Sequence, residues 1–229
     1  GRHTTTKTRI IAGQQQVTRL DRETRVPITR AAATRLLRGV IRDIARSDAV
    51  IIADYGKGVV TQPVLDQLRS ECRRTGTWIS VDPKPVHALD LRGLSLITPN
   101  RKEAFELAGL SDSSRSARPL EDAQLMAAAS RLLSQLAPTI LLITLGELGM
   151  LLCQPDVKPM HVPTVAREVF DVSGAGDTVI AAFTLAITLG ASPREAAILA
   201  NHAAGVVVAK RGTATLTPDE LIASFRSWR

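Results

Sequence analysis

Short, continuous apolar runs alternating with amphipathic helices constrain the fold of this sequence more than any other feature. The runs "DAVIIAD" (48–54), "TWISVDP" (77–83), "LSLIT" (94–98) and "TILLITL" (139–145) are apolar at successive positions, as in strands buried on both faces. Helical spacing falls over Thr29 to Arg46, Gln62 to about Arg74, "PNRKEAFELAGL" entered through Pro99 and Asn100, and 119 to 136. A strand "MLLCQ" (150–154) follows the turn "GELG"; two apolar helices, roughly 175–190 and 193–210, precede a last helix. "KTRIIA" and "QQVTRL", broken at Gly13, read as a hairpin or edge ribbon, and "SDSSRSARP" as a loop. The alternation predicts an α/β fold with a parallel sheet covered on both faces. Such sheets take ligands beyond the carboxyl ends of their strands, so chemistry is expected just after them.

Composition narrows the function classes. With 229 residues the chain suits one large domain or two small ones. Aromatic content of 3% leaves little for stacking single-stranded nucleic acid. The net charge of +7 comes mainly from arginines, among them Arg30, Arg35, Arg38, Arg42 and Arg46 opposite an apolar stripe. A solvated helix face accounts for them; no helix-turn-helix, zinc-finger or RNA-binding signature supports a nucleic-acid surface. Cys72 and Cys153 are far apart and outside any CxxC cluster, so free thiols in a reducing compartment are expected. The longest apolar run, Thr178 to Ala191, is shorter than the ~20 residues of a membrane span, which with no visible signal peptide predicts a cytoplasmic protein. The chain opens on Gly1 and enters at once on "TTTKTRIIAG", which reads as the middle of a longer structure.

Three loops carry the chemistry. In "DVSGAGDT" two glycines let the backbone approach a ligand, and the following helix presents unpaired first-turn N–H groups and its positive dipole end. Asp177 beside such an anion site is suited to take a proton from a hydroxyl while the amides hold a phosphoryl group; helix capping is the plainer reading. "TLGELG" (Thr144, Gly146, Gly149) suits a nucleotide-admitting turn or an ordinary hairpin. In "NRKE", Asn100 and Glu103 share a helix face, fitting a phosphate and a water-bound Mg²⁺, or a capping box.

Together, "NRKE", "TLGELG", "DVSGAGDTVIAAF" and "ANHAAGVVVAKRGT" resemble the ordered motifs of the PfkB, or ribokinase-like, carbohydrate kinases over essentially the whole chain. "TTTKTRI", "QQQVTRLDRE", "DYGKG", "VDPK" and "LITPN" are similar to the subgroup that phosphorylates D-glycero-β-D-manno-heptose 7-phosphate at its anomeric hydroxyl, in ADP-heptose and lipopolysaccharide core synthesis. The resemblance implies a ribokinase-like three-layer α/β/α sandwich with a mainly parallel sheet, a partial β lid over 1–20 and a kinase core over 21–229. It implies Asp177 as base, and the amides around Gly174, Ala175 and Gly176 as the hole for the γ-phosphate. Asn100 and Glu103 would serve phosphates and the Mg²⁺ water shell, while Thr144, Gly146, Gly149 and Asn201 would line the ATP site. Members that bind a monovalent cation such as K⁺ place ligands at positions matching Asp171, Ser173, Val207, Lys210 and Gly212. Lys84 in "VDPK" admits a phosphate contact or a surface ion pair; Lys7, Arg9 and Arg19 admit a sugar-phosphate contact or solvation.

The family's first strands, its Gly-Gly sugar motif and half of its lid are expected to be missing, as is any following cytidylyltransferase-type domain. Members often pair through their lids, which implies a homodimer. The alternatives are a family kinase for another sugar or a nucleoside, a nucleotide-binding module without turnover, and a basic nucleic-acid binder.

Overall fold

The computed structural model describes residues 2–13, 15–114, 116–166 and 168–226. Of the segments read from the sequence, Gly1 and Gln14 of the hairpin, Arg115 of the loop at 111–119, Arg167, and 227–229 lie outside the described residues. Strands β1 (Thr6–Ala12) and β2 (Gln15–Arg22) form the expected antiparallel hairpin, with Thr6 opposite Arg22 and an irregularity between Ile10 and Ile11.

The other strands make one six-stranded sheet in chain order: β3 (Ala49–Ala53), β4 (Trp78–Asp82), β5 (Leu96–Ile97), β6 (Ile140–Thr144), β7 (Met150–Gln154) and β8 (Val157–Val162). β3 through β6 run parallel, whereas β6, β7 and β8 pair antiparallel. The sheet is thus mainly parallel, as expected, with an antiparallel β6–β7–β8 edge. The turn between Thr144 and Met150 is too short for the crossover that a parallel neighbour requires. β8 escaped the sequence reading because Pro159 interrupts it; the strand lies at the sheet edge, where a missing N–H costs no ladder bond.

Helices α1 (Arg30–Ile44), α2 (Gln62–Thr75), α3 (Arg101–Ala108) and α4 (Ala123–Leu136) cover one sheet face, and α5 (Ala175–Thr188) and α6 (Pro193–Val208) the other; α7 (Pro218–Arg226) packs on α6. The helix read over 119–136 is instead a short 3₁₀ turn, Pro119–Glu121, followed by α4. Asp122 divides them, because its carboxylate caps α4 by accepting from the Leu125 amide at 3.1 Å.

Strand alternation divides the core. Leu141 and Ile143 point to the α1–α4 side with Leu151 and Cys153, while Ile140 and Leu142 point to the α5–α6 side with Met150 and Leu152. On that second side Ser80 and Thr184 share a buried hydrogen bond of 2.7 Å, which ties β4 to α5. The α1 arginines face solvent, and Leu37 and Ile44 enter the core. Cys72 and Cys153 are free and buried, and burial pushes their thiols up to about 11 and about 12. Among the described residues no helix is long and apolar enough to cross a membrane.

Candidate active site

The carboxyl ends of β3, β4, β5 and β6 open into one cavity of about 520 Å³. β3 delivers Asp54 and Tyr55, β4 delivers Asp82 and Lys84, and Thr98, Asn100 and Thr144 follow β5 and β6. The hairpin supplies Lys7 and Arg19, and the start of α5 supplies Gly174, Gly176 and Asp177.

Gly174 opens α5 in the left-handed region, φ +83°, a conformation that a side chain disfavours. The Ala175 amide donates to Val172 O at 3.2 Å and the Thr178 amide to Gly174 O at 2.9 Å. Between them the amides of Gly176 and Asp177 have no partner among the described residues. These are orphan helix-start donors at the positive dipole end, the chemistry that suits an anion. Gly176 lies beside β4, where a Cβ would come within 4.0 Å of Asp82 Oδ2.

Across this turn lies a second, mainly apolar cavity of about 460 Å³. Thr144, Gly146, Gly149, Ala175, Gly176 and Asn201 border it, with Met150, Val169, Val179 and Val208 as apolar wall. "TLGELG" therefore makes both the β6–β7 hairpin turn and the cavity rim. Gly149, at φ +86°, permits close approach to β8: a Cβ there would meet Val162 O at 2.1 Å. Asn201 is 4% exposed, and its Nδ2 donates to Pro163 O at 2.6 Å, holding the loop after β8 against α6.

Asn100 and Glu103 form a full capping box, Glu103 N to Asn100 Oδ1 and Asn100 N to Glu103 Oε2, both 3.0 Å, while both line the first cavity. The other Glu103 oxygen pairs with Lys84 at 2.6 Å, so the carboxylate is engaged on both sides. Lys84 thus has an ion pair and a place in the cavity together. That bond to Glu103 raises its ammonium pKa.

The cavity is lined by charges of both signs. Asp54, Asp82, Glu103 and Asp177 line it together with Lys7, Arg19, Arg25 and Lys57, the last four partnered by Asp21 and Glu23. Burial, reinforced by Glu103 and Asp177, pushes Asp82 up to about 7. Burial also raises Asp54, whose Oδ1 accepts the Gly56 amide at 2.8 Å. Tyr55 donates to Asp177 Oδ1 at 2.7 Å; burial and this bond push its phenol up to about 12. Sequence reasoning passed over Tyr55, Asp54, Asp82, Arg25 and Lys57, though their places at the ends of "VIIAD" and "WISVD" were a usable signal for the first three. Arg9 does not line the cavity and instead donates to Ser173 Oγ at 3.0 Å.

Asp171, Ser173 and Gly212 come together: Asp171 Oδ1 accepts the Ser173 amide at 2.8 Å, and bonds from Ser173 first, with help from Arg9 and the Gly212 amide, lower its pKa. The Val207 carbonyl accepts the Lys210 amide at 3.0 Å, and the Lys210 ammonium reaches Thr215 O at 2.7 Å and Glu220 at 2.6 Å.

Known proteins are similar to this chain in sequence and in fold. Residues 2–220 match the family described as pfkB family carbohydrate kinase. The chain is 43% identical over 226 residues to the bifunctional protein HldE of Desulfatibacillum aliphaticivorans, covering 99% of this chain and 45% of that protein. It is 44% identical over 228 residues to HldE of Mesorhizobium japonicum, covering 99% and 44%; it therefore spans about half the length of the curated relatives it matches. Among solved structures, Giardia lamblia ribokinase aligns with a TM-score of 0.75 at 20% identity, over 100% of this chain and 73% of that one. Arabidopsis thaliana ribokinase complexed with ribose and ATP aligns with 0.69 at 21% identity, over 82% and 59%. The fold is ribokinase-like, and the chain belongs to the pfkB family of carbohydrate kinases.

Proposed function

We propose that this chain is the kinase part of an enzyme that transfers the γ-phosphoryl group of ATP to the anomeric hydroxyl of D-glycero-β-D-manno-heptose 7-phosphate. One observation carries the reading: Asp177 faces the polar cavity from the same turn whose open Gly176 and Asp177 amides separate it from the apolar cavity. The apolar cavity fits a nucleotide base, bordered by Thr144, Gly146, Gly149 and Asn201, and the open amides, with Gly174 and Ala175, fit a phosphoryl group. The acceptor hydroxyl gives its proton to Asp177 as its oxygen bonds to phosphorus; the bond from phosphorus to the bridging oxygen breaks, and ADP leaves.

The acceptor assignment draws support from the "DYGKG", "VDPK" and "LITPN" motifs, from the relatives called HldE, and from the cavity's polarity. An acceptor phosphate suits the basic side chains of Lys7, Arg19, Arg25 and Lys57, which line the same cavity as Asp177. Bound Mg²⁺ would neutralise phosphate charge; Asn100, Glu103 and Lys84 are the residues to hold its water shell and the phosphates, with Glu103 then shared between Lys84 and that shell. A K⁺ fits the Asp171, Ser173 and Gly212 group, with the Val207 and Lys210 backbone. Residues 1–20 act as a lid portion on a core of 21–229 in a cytoplasmic protein. Exposed Ile10, Ile11, Val17 and Leu20 on the hairpin suit pairing of two lids in a homodimer.

The test is Asp177→Asn with an acceptor panel. Turnover of heptose 7-phosphate is expected to vanish while ATP binding by calorimetry persists. A wild-type rate in the mutant removes Asp177 as base, and an active ribose beside an inert heptose 7-phosphate overturns the acceptor.

A further inference from the structure

The first cavity holds a contact that the transfer chemistry above does not use. The Tyr55 hydroxyl donates to Asp177 Oδ1 at 2.7 Å across 122 positions of sequence, and no other hydrogen bond reaches that carboxylate among the described residues. We propose that Tyr55 is a positioning residue for Asp177: its phenol pins one carboxylate oxygen and leaves the other turned to the acceptor hydroxyl. The inference rests on the sugar-kinase reading and deepens it.

A carboxylate in the first turn of a helix rotates freely about its last bond unless something holds it, and proton transfer requires an aligned lone pair. Tyr55 is well placed to hold it, because its own loop is anchored. The next residue, Gly56, donates its amide to Asp54 Oδ1 at 2.8 Å, and packs so tightly that a Cβ would meet Val86 Cγ2 at 2.4 Å. The phenol stays a donor, since burial and Asp177 keep its proton on. During transfer the acceptor's proton goes to the second oxygen of Asp177, and no bond to Tyr55 forms or breaks. The other charged groups lining the cavity with Asp177 are Asp54 after β3, Asp82 and Lys84 after β4, Glu103 of α3, Lys7, Arg19 and Asp21 of the hairpin, and Arg25 and Lys57. None donates to it.

Tyr55→Phe removes one oxygen and keeps the ring. A hydrogen bond to a charged group lost from the reacting geometry lowers kcat roughly tenfold to hundredfold. The KM for ATP is expected to hold within about twofold, since the nucleotide cavity lies across the turn. As the chain has a single tyrosine, tyrosinate absorbance reports this contact without any turnover. In Asp177→Asn the phenol is expected to titrate nearer its ordinary value of about 10 than in wild type.

Turnover lost in Asp177→Asn but untouched in Tyr55→Phe overturns the inference and spares the function. So does a phenol that titrates alike in wild type and Asp177→Asn. A wild type that phosphorylates no sugar instead sinks the function itself, and the inference with it.

Discussion

Arg9 Nη2 on the hairpin lies 3.0 Å from Ser173 Oγ, the residue just before the left-handed Gly174 that opens α5. A strand outside the main sheet is thereby fastened to the segment that presents the open amides. Arg9 also adds to the field holding Asp171 low.

Removing that fastening should loosen the hairpin before it affects the core. Arg9→Gln loses a partly buried hydrogen bond, about 1 kcal/mol, or roughly fivefold in the local opening equilibrium. Amide exchange across Thr6–Arg22 is expected to accelerate by about that factor while β4 and β6 amides hold. Unchanged exchange in the hairpin means that the contact bears no load.

The ion pair of Lys84 with Glu103 makes a different prediction. The Glu103 side chain is 8% exposed and already uses one oxygen to cap α3, so Lys84→Met leaves a nearly buried carboxylate beside Asp82. Lys84 itself is about half exposed, which moderates the loss to about 1–2 kcal/mol. The melting temperature should fall by about 3–6 °C. Glu103→Gln in the same background should recover part of it, because the neutral amide removes the stranded charge.

Strand positions and the loops after them are legible in this sequence because both are local. Continuous apolar runs specify the buried strands, and Gly-Ala-Gly before an apolar helix specifies the turn at Gly174. Asn100, Glu103, Thr144, Gly174, Gly176 and Asp177 all line the first cavity as neighbours of those runs. Other features depend on meetings that no local pattern encodes. Tyr55 meets Asp177 across 122 positions and Arg9 meets Ser173 across 164, and a lone tyrosine or arginine has no periodicity to mark its partner. Pro159 hid β8 because a strand at a sheet edge tolerates a residue that an interior strand does not.

Asp82 supplies a pH dependence with a definite sign. Its folded pKa, about 7, lies above its ordinary 3.8, so its protonated form is favoured in the native state. Its contribution to stability is fully present below about 4 and is lost as pH rises to about 7. Asp82→Asn removes the titration and the repulsion by Glu103 and Asp177. The difference mutant minus wild type should therefore grow in the mutant's favour between pH 4 and 8, reaching on the order of 2 kcal/mol. Denaturant melts of both proteins at several pH values measure it, and a difference flat with pH disproves the assignment.

Gly149 tests how the hairpin rim of the apolar cavity is built. At φ +86° and ψ −121°, outside the left-handed helical region, a side chain is strained by about 1–3 kcal/mol, and the added Cβ would also sit 2.1 Å from Val162 O and 2.6 Å from Thr164 N. Both neighbours are backbone, so neither can rotate away; β8 or the loop after it must shift. Gly149→Ala should therefore cost about 3 kcal/mol, lowering the melting temperature by about 6–12 °C. Because Met150, Thr164 and Asn201 border the same cavity, nucleotide binding by calorimetry should weaken even in the fraction that remains folded. Gly146 is the control: it too has positive φ, but a Cβ there meets nothing within 4 Å, so Gly146→Ala should carry only the backbone strain. Equal losses in the two mutants would mean that strain alone, not the approach of β8, demands glycine at 149.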